Sequence, residues 1–173
     1  MVHGQVTRPV ELTSLFHDLS NHHQAPTTTV LTNETVLTNE VVQASDETAV
    51  TLAVAPGSTV LHQRRLRFGH GEPLVIMENF LPEDLLSLGG KDLATRGLYQ
   101  LMRAKGVNIR VAKQRIGART GTPEECSLLG EKRGSPVLTM GRATHDPSGR
   151  AVEWGRHCYR ASQYSFEVTL VDH

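Results

Sequence analysis

The sequence is short of the features that mark several large classes of protein. Cysteine occurs twice in 173 residues, as Cys126 and Cys158. That is too few for a disulfide framework and lacks metal-ligand spacing, so both read as small buried hydrophobes. No stretch approaches the roughly 20 apolar residues needed to cross a bilayer. The opening MVHGQVTRPVE also lacks the apolar segment of a secretory signal, so no membrane partner is expected and the default location is the cytoplasm. Neither sign of charge is in excess: 18 basic and 18 acidic side chains give a formal net charge of +0. Such a balance argues against a broad face gripping a polyanion, whereas a small anion needs only a local patch. Catalytic signatures are missing as well. There is no Gly-x-Ser-x-Gly elbow, phosphate-loop motif or His-Glu-x-x-His, and the Gly69-His70-Gly71 run is a turn. His17, His22 and His23 are not spaced to set two imidazoles on one helix face, so zinc is not expected. No nucleophile is visible, and neither an enzyme nor a cofactor is implied.

What is there suits one globular domain with a sizeable core. Leu12, Leu15, Phe16 and Leu19 follow the spacing of a helix with one buried stripe, ended by Pro26. A β-branched stretch then carries VLTNE twice, at Val30 and Val36, which reads as a lengthened strand pair or hairpin rather than a solenoid unit. Ser45 is placed to cap a short helix that stops by Pro56-Gly57. STVLHQRRLRF and EPLVIMENFL, joined at His70-Gly71, predict an antiparallel hairpin from Thr59 to Leu81. A second core helix follows around Leu98, Leu101 and Met102, with Gly106 as its C-cap. VNIRVAKQRIGART alternates as a strand, and Thr122, Pro123 and Glu125 spell a capping box. Three more strands close the chain. About six or seven strands with four short helices and hairpin-length loops favour an antiparallel sheet, hence α+β.

Two constellations could carry chemistry. Alternation sends Arg65 and Arg67 to one face of their strand, where paired guanidiniums match a carboxylate or phosphate if the face is enclosed. The same spacing also fits a solvated strand face with acidic neighbours. Glu153 and Tyr159, six apart, share a face on which a carboxylate and a phenol could hydrogen-bond a polar ligand.

QRRLRFGHGEPLVIMENFLPEDL, DLATRGLYQLMRAKGVNI, ECSLLGEKRGSPVLTMGRATHDPSGRAVEWGRHCYR and YSFEVTL resemble the UTRA domain, the effector-binding half of HutC-subfamily GntR-type transcription regulators. The resemblance runs from about Leu12 to Leu170. Its most specific parts are Arg-x-Arg before a turn and Pro, Leu-Tyr-x-Leu on a helix, and Asp-x-x-Gly-x-x-x-Glu followed by Tyr-Arg. It implies a chorismate-lyase-like α+β fold: an antiparallel sheet of about six strands, short helices around a ligand pocket, and a homodimer. It further implies that residues 1–10 are a remnant of wing and linker and 11–173 the effector domain. DNA contact would belong to a winged helix-turn-helix that this sequence lacks. By the same resemblance Arg65 and Arg67 hold the effector's anionic group with backbone amides around Ser14, Leu15 and Phe16, while Glu153 and Tyr159 contact its polar body. Met77 stands where sugar-phosphate sensors show a carboxylate, and Gly97 stands where a serine precedes the helix tyrosine, here Tyr99. The anion clamp is kept while the sugar-reading groups are thinned, so the expected effector is a small anionic metabolite, a sugar phosphate, carboxylate or phosphonate, with room for a less polar ligand. A chorismate-lyase-type enzyme and a ligand-free dimerisation module are the alternatives.

Overall fold

A computed structural model describes residues 6–9, 34–88 and 97–167. The elements in chain order are β1 (Val6–Pro9), β2 (Glu34–Gln43), α1 (Asp46–Leu52), β3 (Thr59–Gly69) and β4 (Glu72–Pro82). A 3₁₀ turn (Glu83–Leu88), α2 (Leu98–Ala104), β5 (Val111–Thr120) and α3 (Pro123–Leu128) come next. β6 (Pro136–His145), β7 (Ala151–Arg160) and β8 (Tyr164–Glu167) complete them. Six strands form one sheet in the order β2-β3-β4-β7-β6-β5, with every pairing antiparallel. The α+β antiparallel expectation holds. The helix expected at Leu12–Leu19, with Ser14, Leu15 and Phe16, lies outside the described residues, as does most of the first VLTNE copy. The second copy sits in β2.

Local chemistry accounts for the elements. The β3–β4 hairpin turns on two residues, His70 and Gly71, both at positive φ (52° and 79°). This is the primed geometry whose twist matches the flanking strands. Ser45 caps α1 by accepting from the Thr48 amide at 3.3 Å. At α3 the capping box is complete, with Thr122 accepting from the Glu125 amide at 3.2 Å and the Glu125 carboxylate accepting from the Thr122 amide at 2.8 Å. Gly106, at φ 81°, ends the turn after α2.

Helices cover both faces of the sheet. On the face we call inner, α2 and the 3₁₀ turn bury Leu85, Leu88, Leu98, Leu101 and Met102 against Leu61 and Leu81. Each fully buried leucine of this kind contributes about 1.5–3 kcal/mol. On the outer face α1 packs Ala49 and Leu52 on Val60 and Phe80. Leu129, just after α3, packs with Ile76 and Cys158. Both cysteines are buried, as expected, and burial pushes the Cys158 thiol up to about 12. One pairing departs from an all-antiparallel plan: β1 runs parallel to β8, Val6 opposite Tyr164 through Pro9 opposite Glu167. Part of the stretch expected as wing and linker is thus hydrogen-bonded to the last described strand.

Candidate functional site

Strand alternation and register build the site on the inner face. β3 sends Gln63, Arg65 and Arg67 inward, and all three are buried, the arginines at 1% and 2% exposure. Of the two readings open for the pair, the solvated strand face is excluded. Across the sheet Gln63 stands opposite Asn79, Asn79 opposite Gly155, Gly155 opposite Arg142, and Arg142 opposite Gln114. The next row runs Arg65, Met77, His157, Met140. A cavity of about 20 Å³ lies over these rows, bounded by Arg65, Arg67, Asn79, Arg142, Glu153 and His157, with Met77 and the start of α2 (Gly97, Leu98, Tyr99) closing it. That volume is about one water molecule's worth. Any larger ligand must displace side chains to bind there.

The polar groups are tied together. Arg65 Nη2 donates to Asn79 Oδ1 at 2.6 Å, and Asn79 Nδ2 donates to Glu153 Oε1 at 2.7 Å. The other carboxyl oxygen, Oε2, accepts from Thr144 Oγ1 at 2.6 Å and from the Tyr99 hydroxyl at 3.3 Å. Arg142 donates through Nε and Nη2 to Gln114 Oε1 at 2.8 and 2.6 Å, and through Nη1 to the Tyr99 hydroxyl at 3.4 Å. Burial pushes the Glu153 carboxyl above the ordinary carboxylate range, against the pull of Thr144, Arg142, Asn79 and Tyr99. Burial, with Glu153 adding to it, raises the Tyr99 phenol to about 12, so it stays protonated and can donate. Gly155 makes the arrangement possible. A Cβ there would stand 2.5 Å from Glu153 Oε1, 3.1 Å from His157 Nε2 and 3.3 Å from Asn79 Nδ2. The missing side chain is the space in which these groups meet.

Of the residues named from the sequence, Arg65, Arg67, Met77, Tyr99 and Glu153 border this cavity. Tyr159 shares the inward face of β7 but does not border this cavity, and its hydroxyl lies 3.3 Å from His157 Nδ1. Its ring stacks on Tyr164 at 4.2 Å. Ser14, Leu15 and Phe16 lie outside the described residues. Sequence reasoning missed Asn79, Arg142, Thr144, Gly155 and His157. Parity was the available signal, since Asn79 shares a face with Met77, and His157 with Glu153. The pairing of β6 with β7 that delivers Arg142 and Thr144 has no such signal.

The outer face carries a broader hollow of about 920 Å³ bordered by Arg64, Arg119, Arg156, Glu78, Glu125 and Trp154 among others. Its size does not make it the better site. Its charges largely satisfy one another: Arg64 with Glu124 at 2.6 Å, Arg119 with Glu125 at 2.7 Å, and Arg156 with Glu78 and Glu47 at 3.0 and 3.1 Å. Among the described residues no group of three or more His, Cys, Asp or Glu is placed to hold a metal ion. No described helix is long and apolar enough to cross a membrane.

Comparison with known proteins agrees with the architecture. The UTRA domain family matches residues 30–165. The HTH-type transcriptional repressor NagR of Bacillus subtilis is 25% identical over 156 residues, covering 90% of this chain and 62% of NagR. The mannosyl-D-glycerate transport/metabolism system repressor MngR of Escherichia coli is 26% identical over 159 residues, covering 91% of this chain and 64% of MngR. The chain thus spans less than two thirds of these relatives' length. A transcriptional-regulator structure from Streptomyces coelicolor is 48% identical with a TM-score of 0.76, covering 80% of this chain and 95% of that one. The effector domain of PhnF from Mycobacterium smegmatis superposes with a TM-score of 0.84 over 96% of this chain and all (100%) of that one; at 19% identity this likeness bears on the fold alone.

Proposed function

The chain belongs to the UTRA family of effector-binding domains found in GntR-type transcription regulators, and from that premise we propose that it senses a small anionic metabolite on the inner face of its sheet. The observation that carries this reading is the burial of Arg65, Arg67 and Arg142, exposed by 1%, 2% and 4%, around one cavity that also holds Glu153. Removing guanidiniums from water costs several kcal/mol each. A fold that needed only packing would place apolar side chains there, whereas a fold that must bind an oxyanion gains planar, multidentate donors. The two Glu153 oxygens are engaged by Asn79, Thr144 and Tyr99. The carboxyl therefore organises the cavity wall, and the arginines hold the ligand.

A regulator of the HutC subfamily would use this binding to shift the arrangement of attached DNA-binding domains, which requires the effector to favour one arrangement over another. We assign operator contact to a winged helix-turn-helix, so the 173-residue chain alone should not retain a DNA duplex at physiological salt. Salt-sensitive retention would contradict that assignment.

The test of the anion site is calorimetry. Inorganic phosphate, methylphosphonate and succinate are first ranked by thermal shift, and the strongest is then titrated into wild type and Arg67→Ala. The substitution is expected to weaken binding by about 1.5–3 kcal/mol, the range for hydrogen bonds to charged groups, with the circular dichroism spectrum unchanged. Equal affinities would overturn the assignment.

A further inference from the structure

We propose that Asn79 sets the anion affinity of this site as a positioning residue: its amide stands between Arg65 and Glu153 and keeps that guanidinium and that carboxyl from closing on each other. The inference deepens the reading above and rests on it.

The geometry fixes the amide's orientation. Arginine only donates, so the Asn79 oxygen must face Arg65, and it does so at 2.6 Å. The amide nitrogen then faces Glu153 Oε1 at 2.7 Å and His157 Nε2 at 3.5 Å. A carboxylate in the amide's place would meet Arg65 directly and form the charge-assisted pair that guanidinium and carboxylate prefer. Such a pair would spend on the protein itself the charge that an anionic ligand needs. The neutral amide satisfies both neighbours without cancelling either. It is fully enclosed, with Asn79 2% exposed, and the space for it comes from Gly155, its register partner on β7. Among the described residues bordering the cavity, three guanidiniums face one carboxyl, and that carboxyl is held on the far side of Asn79 from Arg65. The ligand chemistry this favours is a compact oxyanion with at least two acceptor oxygens, whether phosphoryl, phosphonyl or carboxylate.

Exchanging the two side chains separates position from total charge. In the double variant Asn79→Asp with Glu153→Gln, each hydrogen bond linking Arg65, position 79, position 153, Thr144 and Tyr99 has a counterpart, and the 3.5 Å contact with His157 Nε2 is kept when that nitrogen carries the ring proton. The carboxylate introduced at position 79 accepts from Arg65 and from the amide introduced at position 153, and the oxygen of that amide accepts from Thr144 and Tyr99. Formal charge is unchanged, but the carboxylate now lies against Arg65. At constant ionic strength we expect the exchanged protein to melt within a few degrees of wild type without added anion. We expect it to bind the strongest of phosphate, methylphosphonate and succinate at least about tenfold more weakly, a loss on the scale of one hydrogen bond to a charged group. Equal affinity would overturn the role of Asn79 and leave the arginine site standing. Failure of wild type to bind any of the three would bring down the site and this inference together. If the exchanged protein does not fold, Asn79→Ser decides: it removes the spacer with a smaller side chain, the same loss is expected, and unchanged affinity overturns the proposal.

Discussion

Replacing Gly155 with alanine asks whether the polar network over the sheet is as tightly built as its distances indicate. An unhindered glycine in a strand interior costs roughly 0.5–1 kcal/mol relative to alanine, so the substitution would ordinarily stabilise. Here the added Cβ would stand 2.5 Å from Glu153 Oε1, a separation that such contacts do not tolerate. The carboxyl cannot simply swing away, because Thr144 and Asn79 hold it at 2.6 and 2.7 Å and Tyr99 at 3.3 Å. Breaking one of these bonds to a buried carboxyl costs about 1.5–3 kcal/mol, which outweighs the backbone gain and leaves a net loss of about 1–2 kcal/mol. Urea unfolding of wild type and Gly155→Ala, with the denaturant slope unchanged, measures that difference. Gly117→Ala is the control: Gly117 lies on exposed β5, and its Cβ would meet only the Thr139 hydroxyl at 3.2 Å, a tight contact that offsets part of the backbone gain; we expect no loss and a stabilisation of at most about 0.5 kcal/mol. Stabilisation of the Gly155→Ala protein would refute the reasoning that Gly155 is there for space.

Two further outcomes follow from the structure. Arg119 holds the Glu125 carboxyl down at about 2, against an ordinary 4.5; a depressed carboxylate stabilises above its unfolded value and loses that contribution as pH falls from about 4.5 toward 2. Arg119 is half-exposed and solvent screens the pair, so Glu125→Gln should cost about 1 kcal/mol at pH 7 and almost nothing near pH 2, with a pH-independent gap in urea unfolding as the contrary result. Edge strand β5 leaves Val111 and Ile116 exposed by 54% and 42%, the kind of edge that proteins cover. We expect a two-fold homodimer, and sedimentation at micromolar concentration showing monomer alone would contradict it.

Much of the fold was legible because its signals are local. The β3–β4 hairpin announces itself through two alternating runs around His70-Gly71, and the Thr122–Glu125 capping box is a four-residue pattern whose bonds depend on nothing distant. The arginine pair was legible as a shared face, since parity needs only one strand. Which face is buried depends on where α2 packs, and both an anion clamp and a solvated stripe satisfy the spacing. Asn79, Gly155 and Arg142 form one row only after β4, β7 and β6 have been paired in register. Arg142 lies far along the chain from Asn79 and carries no motif of its own. Nor does any local pattern indicate that β1 will run beside β8, at the other end of the chain.

The central claim is that an anion is held by Arg65 and Arg67 on the inner face of the sheet, and locating the anion tests it most directly. A crystal structure of the 173-residue chain grown with whichever of phosphate, methylphosphonate and succinate stabilises it most should place the anion within hydrogen-bonding distance of both guanidiniums, with the side chains that now close the cavity displaced to admit it. An anion bound instead in the outer hollow among Arg64, Arg119 and Arg156, with the inner cavity unchanged, would contradict the account.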